Sequence, residues 1–166
     1  SSPPDPMAAD DVWDAGFNLK FTTVRRLTNA LMPQMRARGW GRIINVLNIG
    51  AKAPRAVGAP TAVARAAGLA LTKVLAGDGA PHNVLVNALM VGLIKSNQWE
   101  KQYAENQPDQ SYDEFLQVKV DNLGIPLGRI GETEEFANIA CFLASDAAGY
   151  ITGTSINVDG GRSPVV

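Results

Sequence analysis

Apolar residues recur at spacings of three to five, mostly three and four, between Val12 and Met35. This periodicity matches one face of an α-helix and predicts a helix over about Asp11–Arg38, ended by Gly39. Pro33 should kink that helix, because a proline inside a helix removes a backbone hydrogen bond and crowds the preceding turn. The first predicted element is therefore a long helix with an apolar stripe.

The residues before this helix have a different character. Ser1–Pro6 contains three prolines and predicts a loop. It has neither the basic start nor the apolar stretch of a signal peptide. Asp10 or Asp11 can cap the start of the helix, because a carboxylate accepts hydrogen bonds from its free backbone N–H groups.

Three short apolar runs predict buried strands, at Ile43–Leu47, Val84–Leu89 and Thr154–Val158. Helical patterns lie between them, over about Pro60–Ala76, in pieces of Ser96–Leu123, and over Glu132–Leu143. Alternation of helices with apolar strands predicts an α/β layered fold with a parallel sheet. A length of 166 residues is typical of one domain, and a hydrophobic fraction of 46% suits a packed core.

Charge and composition exclude several classes of function. The formal net charge is −1, so nothing indicates attraction to nucleic acid or to a membrane of anionic lipid. No apolar run approaches the roughly 20 residues that span a bilayer. The single Cys141 excludes an internal disulfide and fits the cytoplasm, and the single His82 reads as a surface residue, so no metal site is expected.

Six segments, in this order and at fitting distances, resemble the short-chain dehydrogenase/reductase family. They are Asp14–Leu19, Gly41–Val46, Val86–Ala88 with the following Val91–Ser96, Pro126–Arg129 with Glu134 and Glu135, Phe142–Ser145, and Ile151–Gly161. Val91 stands where that family has a proline. The resemblance covers nearly the whole chain, and it implies the C-terminal half of a Rossmann-like doubly wound parallel sheet.

The same resemblance locates a catalytic triad whose side chains are replaced. The family places a Ser at the end of a strand, a Tyr thirteen residues later and a Lys four residues beyond, and here these positions hold Asn48, Thr61 and Arg65. Asn48 can still donate a hydrogen bond to a substrate oxygen, and Arg65 keeps a positive charge. Thr61 has an aliphatic hydroxyl, which is a much weaker acid than a phenol. Asn18 matches a structural and proton-relay Asn of the family.

The resemblance also implies NAD or NADP as cofactor. Val91, Gly92, Ile94 and Ser96 match a loop that faces the cofactor. The Gly-rich turn that binds the pyrophosphate in this family does not occur in the sequence. We therefore expect residues 1–166 to be a single partial Rossmann-like domain, a fragment or partial record of a longer protein, that holds a dinucleotide poorly by itself.

Each candidate residue also has a plain structural interpretation. Asn18 can be a mid-helix residue bonded to the backbone, Asn48 a cap at the strand end, Thr61 a helix cap, and Arg65 part of a salt bridge. The loop after the second strand can be an ordinary turn. Trp99, Tyr103, Tyr112 and Phe115 can line a mobile lid over a substrate or only pack that lid down.

Three functions stay open at this point. The first is an oxidoreductase acting on a small molecule through an altered site, with weak carbonyl or alcohol redox activity. The second is a catalytically inactive pseudoenzyme that serves as a scaffold or oligomer subunit. The third is a non-redox lyase or dehalogenase on the same fold. The family's two long helices pack against their copies, which implies a homodimer or homotetramer.

Overall fold

A computed structural model describes residues 6–106 and 109–166, so most of the loop expected at Ser1–Pro6 lies outside the described residues. Three strands form one parallel sheet: β1 is Gly41–Asn48, β2 is Val84–Val91 and β3 is Ser155–Val158. Their order is β1-β2-β3, with helices on its faces. The predicted α/β class with a parallel sheet is confirmed.

The helices lie close to the predicted ranges. They are α1 (Asp10–Phe17), α2 (Thr23–Ala37), α3 (Ala59–Gly79), α4 (Asn97–Asn106), α5 (Tyr112–Leu123) and α6 (Thr133–Ala144). Helix α3 runs three residues past the predicted end at Ala76, because Gly77 is tolerated inside it. The pieces expected within Ser96–Leu123 are α4 and α5.

The first long helix contains a π turn at Asn18–Thr22 that the apolar pattern did not predict. Both the backbone N–H and the hydroxyl of Thr23 donate to the Asn18 carbonyl, the hydroxyl at 2.8 Å. The predicted cap was wrong: Ala9 is the N-cap residue and has no side-chain cap bond. Asp10 and Asp11 lie in the first turn instead, where their charge complements the helix dipole.

Strand β2 lies at the centre of the fold. Every residue from Val84 to Met90 is buried, which explains its nearly continuous apolar sequence. The one polar residue among them is Asn87. Its amide donates to the Ile151 carbonyl at 2.9 Å and accepts from the Thr154 N–H at 3.2 Å. A buried amide with both ends bonded ties β2 to the start of β3 without an unsatisfied group.

Helix α3 packs closely on β1 and β2 through small residues. A methyl group on Gly68 would lie 3.3 Å from the Leu47 side chain, so the absence of a side chain there lets the helix lie close to the sheet. One turn later, the Thr72 hydroxyl accepts from the Asn45 amide at 2.8 Å and donates to the Gly68 carbonyl at 2.9 Å. These contacts hold the helix at a fixed height above the strands.

We expect Gly79→Ala to lower the free energy of unfolding by about 1–3 kcal/mol, because its new methyl would lie 2.6 Å from the Val84 carbonyl oxygen. Gly77→Ala is the matched control in the same helix, since among the described residues no atom beyond the adjacent backbone of that helix lies within 4 Å of its added methyl. It should be neutral or stabilise by up to about 1 kcal/mol. Urea unfolding followed by circular dichroism measures both, and equal effects would contradict the packing described for α3.

Candidate functional site

A cleft of about 770 Å³ opens beside the carboxyl ends of β1 and β2. The strand register places Asn48 directly opposite Val91, the last residues of these two strands. In open parallel sheets, ligands bind outside the carboxyl ends of the strands. The position of the cleft therefore agrees with a ligand site.

Five of the eight candidate site residues line this cleft: Asn48, Thr61, Arg65, Val91 and Gly92. Ile94 lines a separate cavity of about 460 Å³ on the side of α6. Ser96 is exposed and its carbonyl accepts from the N–H groups of Trp99 and Glu100 in the first turn of α4. Asn18 is exposed on the π turn, away from the cleft lining.

The amide of Asn48 has a defined orientation. Its Oδ1 accepts from the Gly50 N–H at 3.1 Å, and only the oxygen end of an amide can accept from an N–H. Its Nδ2 makes no hydrogen bond within residues 6–106 and 109–166. Asn48 thus combines its turn-capping role with a free donor at the wall of the cleft.

Thr61 and Arg65 lie one turn apart on α3. The helix starts after its N-cap residue Gly58, whose φ of 79° suits a glycine and which has no side-chain cap bond. Thr61 therefore lies in the first turn of α3, three residues after the N-cap. Burial lowers the pKa of the half-buried Arg65 guanidinium from its ordinary value. Among the described residues, no carboxylate lies at ion-pair distance from Arg65.

The loop after β2 is held close to the end of β3. A methyl on Gly92 would lie 2.4 Å from the Asp159 Cα, so this position requires a glycine. The Gly92 N–H donates to the Val158 carbonyl at 3.0 Å. The Asp159 carboxylate accepts from the N–H groups of Gly161 at 3.0 Å and Ser163 at 2.7 Å, which orders the turn on the other side.

The backbone of Ile94 presents a donor on the side of Trp99. Gly131 bonds to the two neighbours of Ile94, at 3.0 Å and 2.9 Å, so the N–H and C=O of Ile94 point to the opposite side. There the carbonyl accepts from Trp99 Nε1 at 3.1 Å, and Trp99 lines the cleft. The Ile94 N–H has no acceptor among the described residues.

Ion pairs stabilise the segment from Arg129 to Glu135, to which the loop after β2 is bonded through Gly131. Arg129 donates to both oxygens of Glu135, at 2.8 Å and 2.6 Å, and the Glu132 N–H also donates to that carboxylate at 2.8 Å. The hydrogen bonds from Arg129, followed by that from the Glu132 backbone, lower the pKa of Glu135 to about 2. Lys95 pairs with Glu132 at 2.7 Å, which joins the loop directly to the start of α6.

The aromatic residues of α4 and α5 mostly pack against each other. Phe115 is buried, and Tyr103 contacts both Tyr112 and Phe115 with ring centroids 5.3 Å and 5.5 Å away. Trp99 alone of these four lines the cleft. Sequence reasoning did not single out Arg55, Gln98 and Arg162, which also line it, since they lie outside any spaced motif.

The described residues contain no group of three or more side chains placed to hold a metal ion. Within the same ranges, no helix is both long and apolar enough to cross a bilayer. His82 and Cys141 are exposed and lie outside the cleft lining.

Comparison with known proteins agrees with the fold. The family model described as enoyl-(acyl carrier protein) reductase matches residues 6–163. Dehydrogenase/reductase SDR family member 4 of Homo sapiens is 35% identical over 152 residues, covering 92% of this chain and 51% of that protein. Acetoacetyl-CoA reductase of Shinella zoogloeoides is also 35% identical over 152 residues, covering 92% of this chain and 59% of that enzyme.

A solved structure extends the comparison. The NADPH-bound short-chain oxidoreductase of Pseudomonas aeruginosa PAO1, described as containing an atypical catalytic center, superposes with a TM-score of 0.89 at 30% identity. The superposition covers 100% of this chain and 63% of that one. The chain thus spans about half the length of the curated relatives that it matches.

The low pKa of Glu135 makes stability depend on pH. Its folded pKa of about 2 is below the unfolded value of about 4.3, so its stabilisation is fully present above that value and is lost as the pH falls toward 2. We expect Glu135→Gln to remove part of the fall in melting temperature between about pH 4.3 and pH 2. An unchanged pH profile, measured by thermal melts, would show that this carboxylate is not held as described.

Proposed function

The chain belongs to the short-chain dehydrogenase/reductase family, and we propose that it serves as an NAD(P)-linked oxidoreductase of a small carbonyl or alcohol. The observation that supports this most is the single cleft lined by Asn48, Thr61, Arg65, Val91 and Gly92. In this proposal residues 1–166 form one partial Rossmann-like domain of a cytoplasmic homo-oligomer.

The residues of the loop after β2 fit a nicotinamide. The Ile94 N–H, unpartnered among the described residues, suits the carbonyl oxygen of a carboxamide, and Gly92 keeps the backbone close to the end of β3. NAD or NADP, when bound, supplies or accepts the hydride. The NADPH in the Pseudomonas aeruginosa structure supports this cofactor class, and the choice between NAD and NADP stays open.

The side chains of the cleft have separate roles in this proposal. Asn48 Nδ2 donates to the substrate oxygen, and the Arg65 charge stabilises the negative charge that develops there. Thr61 stands at the position of the family's acid but has no phenol. Loss of a general acid or base costs about 10²–10⁴-fold in rate, so we expect weak redox activity.

One observation fits a second candidate, a scaffold or oligomer subunit that is catalytically inactive. Helix α3 leaves Val63, Ala70 and Val74 exposed along one stripe, and Val74 is 67% exposed. Apolar residues at these helical spacings suit contact with a second copy of the chain. This surface is compatible with assembly whether or not the cleft is active.

The test of the proposed function measures binding and turnover separately in the full-length protein. NADH and NADPH are titrated by calorimetry, and their oxidation is then followed with a panel of small aldehydes and ketones. Slow, saturable oxidation supports the oxidoreductase. Binding without turnover favours the pseudoenzyme, and binding of neither nucleotide rejects the proposal. Halide release from a halohydrin would indicate non-redox chemistry.

We expect Asn48→Asp to lower kcat/KM by about 10²-fold, because Asp keeps an acceptor for the Gly50 N–H but has no donor for a substrate oxygen. Asn48→Ser should retain most of the activity, since its hydroxyl can donate. Asn122→Asp adds the same charge at an exposed position of α5 and is the control. Steady-state kinetics distinguish the three, and equal loss in both Asn48 variants would contradict the donor role.

Val74→Glu should shift the protein toward monomer, because a charge would then lie in the proposed contact between copies of α3. Val118→Glu introduces the same charge at an exposed position of α5 and should leave assembly unchanged. Size-exclusion chromatography with light scattering measures both. Identical masses for the two variants and the parent would place the subunit contact elsewhere.

A further inference from the structure

Three arginines from separate parts of the chain line the cleft. Arg55 lies in the loop between β1 and α3, Arg65 lies on α3, and Arg162 follows β3. No aspartate or glutamate is among the described residues that line the same cleft. The wall is therefore strongly positive, although the formal net charge of the chain is −1.

Some arginines outside the cleft have a carboxylate partner. Arg36, Arg42 and Arg129 each form an ion pair with a carboxylate. In the described ranges, no carboxylate lies within ion-pair distance of the three cleft arginines. The carboxylate nearest in sequence to Arg162, that of Asp159, already accepts two backbone N–H groups.

Burial makes this lack of counter-charge costly. The Nε of Arg162 is buried, and none of the described residues offers it a hydrogen-bond acceptor. Burial lowers the pKa of Arg162, the positive charge of Arg55 lowers it further, and Asp159 opposes the shift. Arginine keeps its proton under these conditions, so an anion between the guanidinium groups would relieve both desolvation and repulsion.

We propose that this cleft selects substrates that carry an oxyanion, a carboxylate or a phosphate, away from the reacting carbonyl. Arg55 and Arg162 bind that anion, and Asn48 and Thr61 meet the carbonyl. A guanidinium presents a planar fork of donors that matches either oxyanion. The inference rests on the proposed function for the identity of the reacting group, and its anion preference can be measured without turnover.

The cofactor is the other possible source of a phosphate. Arg65 stands at the position of the family's catalytic Lys, whereas Arg55 and Arg162 lie in two loops that the family resemblance does not assign to the dinucleotide. Variants of these two arginines therefore separate the sources. A substrate oxyanion predicts weaker substrate binding with unchanged NADPH affinity, and a cofactor phosphate predicts the reverse.

The experiment uses calorimetry on the full-length protein with the oxidised cofactor NADP⁺ present, so that no hydride is available to reduce the probes, and NADPH affinity is titrated separately. The affinity of acetoacetate is compared with that of its neutral methyl ester, and the affinity of dihydroxyacetone phosphate is compared with that of neutral dihydroxyacetone. We expect one of the two anions to bind at least tenfold more tightly than its neutral counterpart. Arg55→Gln and Arg162→Gln should each weaken the binding of that anion by about 10–100-fold, which is the range for the loss of a charge-assisted hydrogen bond.

Two controls keep the result interpretable. Arg25→Gln removes an exposed arginine of α2, outside the cleft lining, and should change nothing. Arg162→Lys keeps the charge and should retain part of the preference, and circular dichroism verifies the folding of each variant. Equal affinity for anion and neutral probe, no effect of either Gln variant, or a loss confined to NADPH would overturn the inference. Failure of the redox assay alone would reject the proposed function and leave the measured anion preference standing.

Discussion

Backbone hydrogen bonds join β2 to a parallel strand on each side, and this pairing determines where the parts of the site lie. Val91 ends β2 opposite Asn48 on one side and Val158 on the other. The chain must turn after each strand, so three turns meet at one edge of the sheet. Both faces of β2 are packed from Val84 to Met90, and a slip by one residue would move each of these side chains to the opposite face, so any other register is costly.

Much of this arrangement could be predicted from local patterns in the sequence. Apolar runs bounded by glycines indicate the strands, and the spacing of Asn48, Thr61 and Arg65 places all three at one cleft. In a parallel sheet the end of a strand and the first turns of the next helix lie at the same edge, so residues at this spacing come close together. The roles of these side chains stay predictions, since their chemistry depends on a ligand.

Other features could not be read from local patterns. Arg55 and Arg162 lie 107 positions apart in loops without periodicity, and only the folded chain brings both to one wall. Ile94 matches a cofactor loop in sequence, yet its side chain lines a different cavity and only its backbone faces Trp99. Asp10 and Asp11 suit a cap by residue type, but the chain enters the helix one residue earlier, at Ala9.

The π turn at Asn18–Thr22 has a geometric consequence for the whole rod formed by α1 and α2. Gly16 packs against Pro60 of α3, and Thr28 is buried twelve residues later. In an uninterrupted α-helix these residues would point about 120° apart, since each residue advances by about 100°. A π turn absorbs about one residue, which brings the two directions to within about 20°. The same side of the rod therefore faces the rest of the protein in both α1 and α2. A single inserted or deleted residue would rotate one of the two helices away from its neighbours.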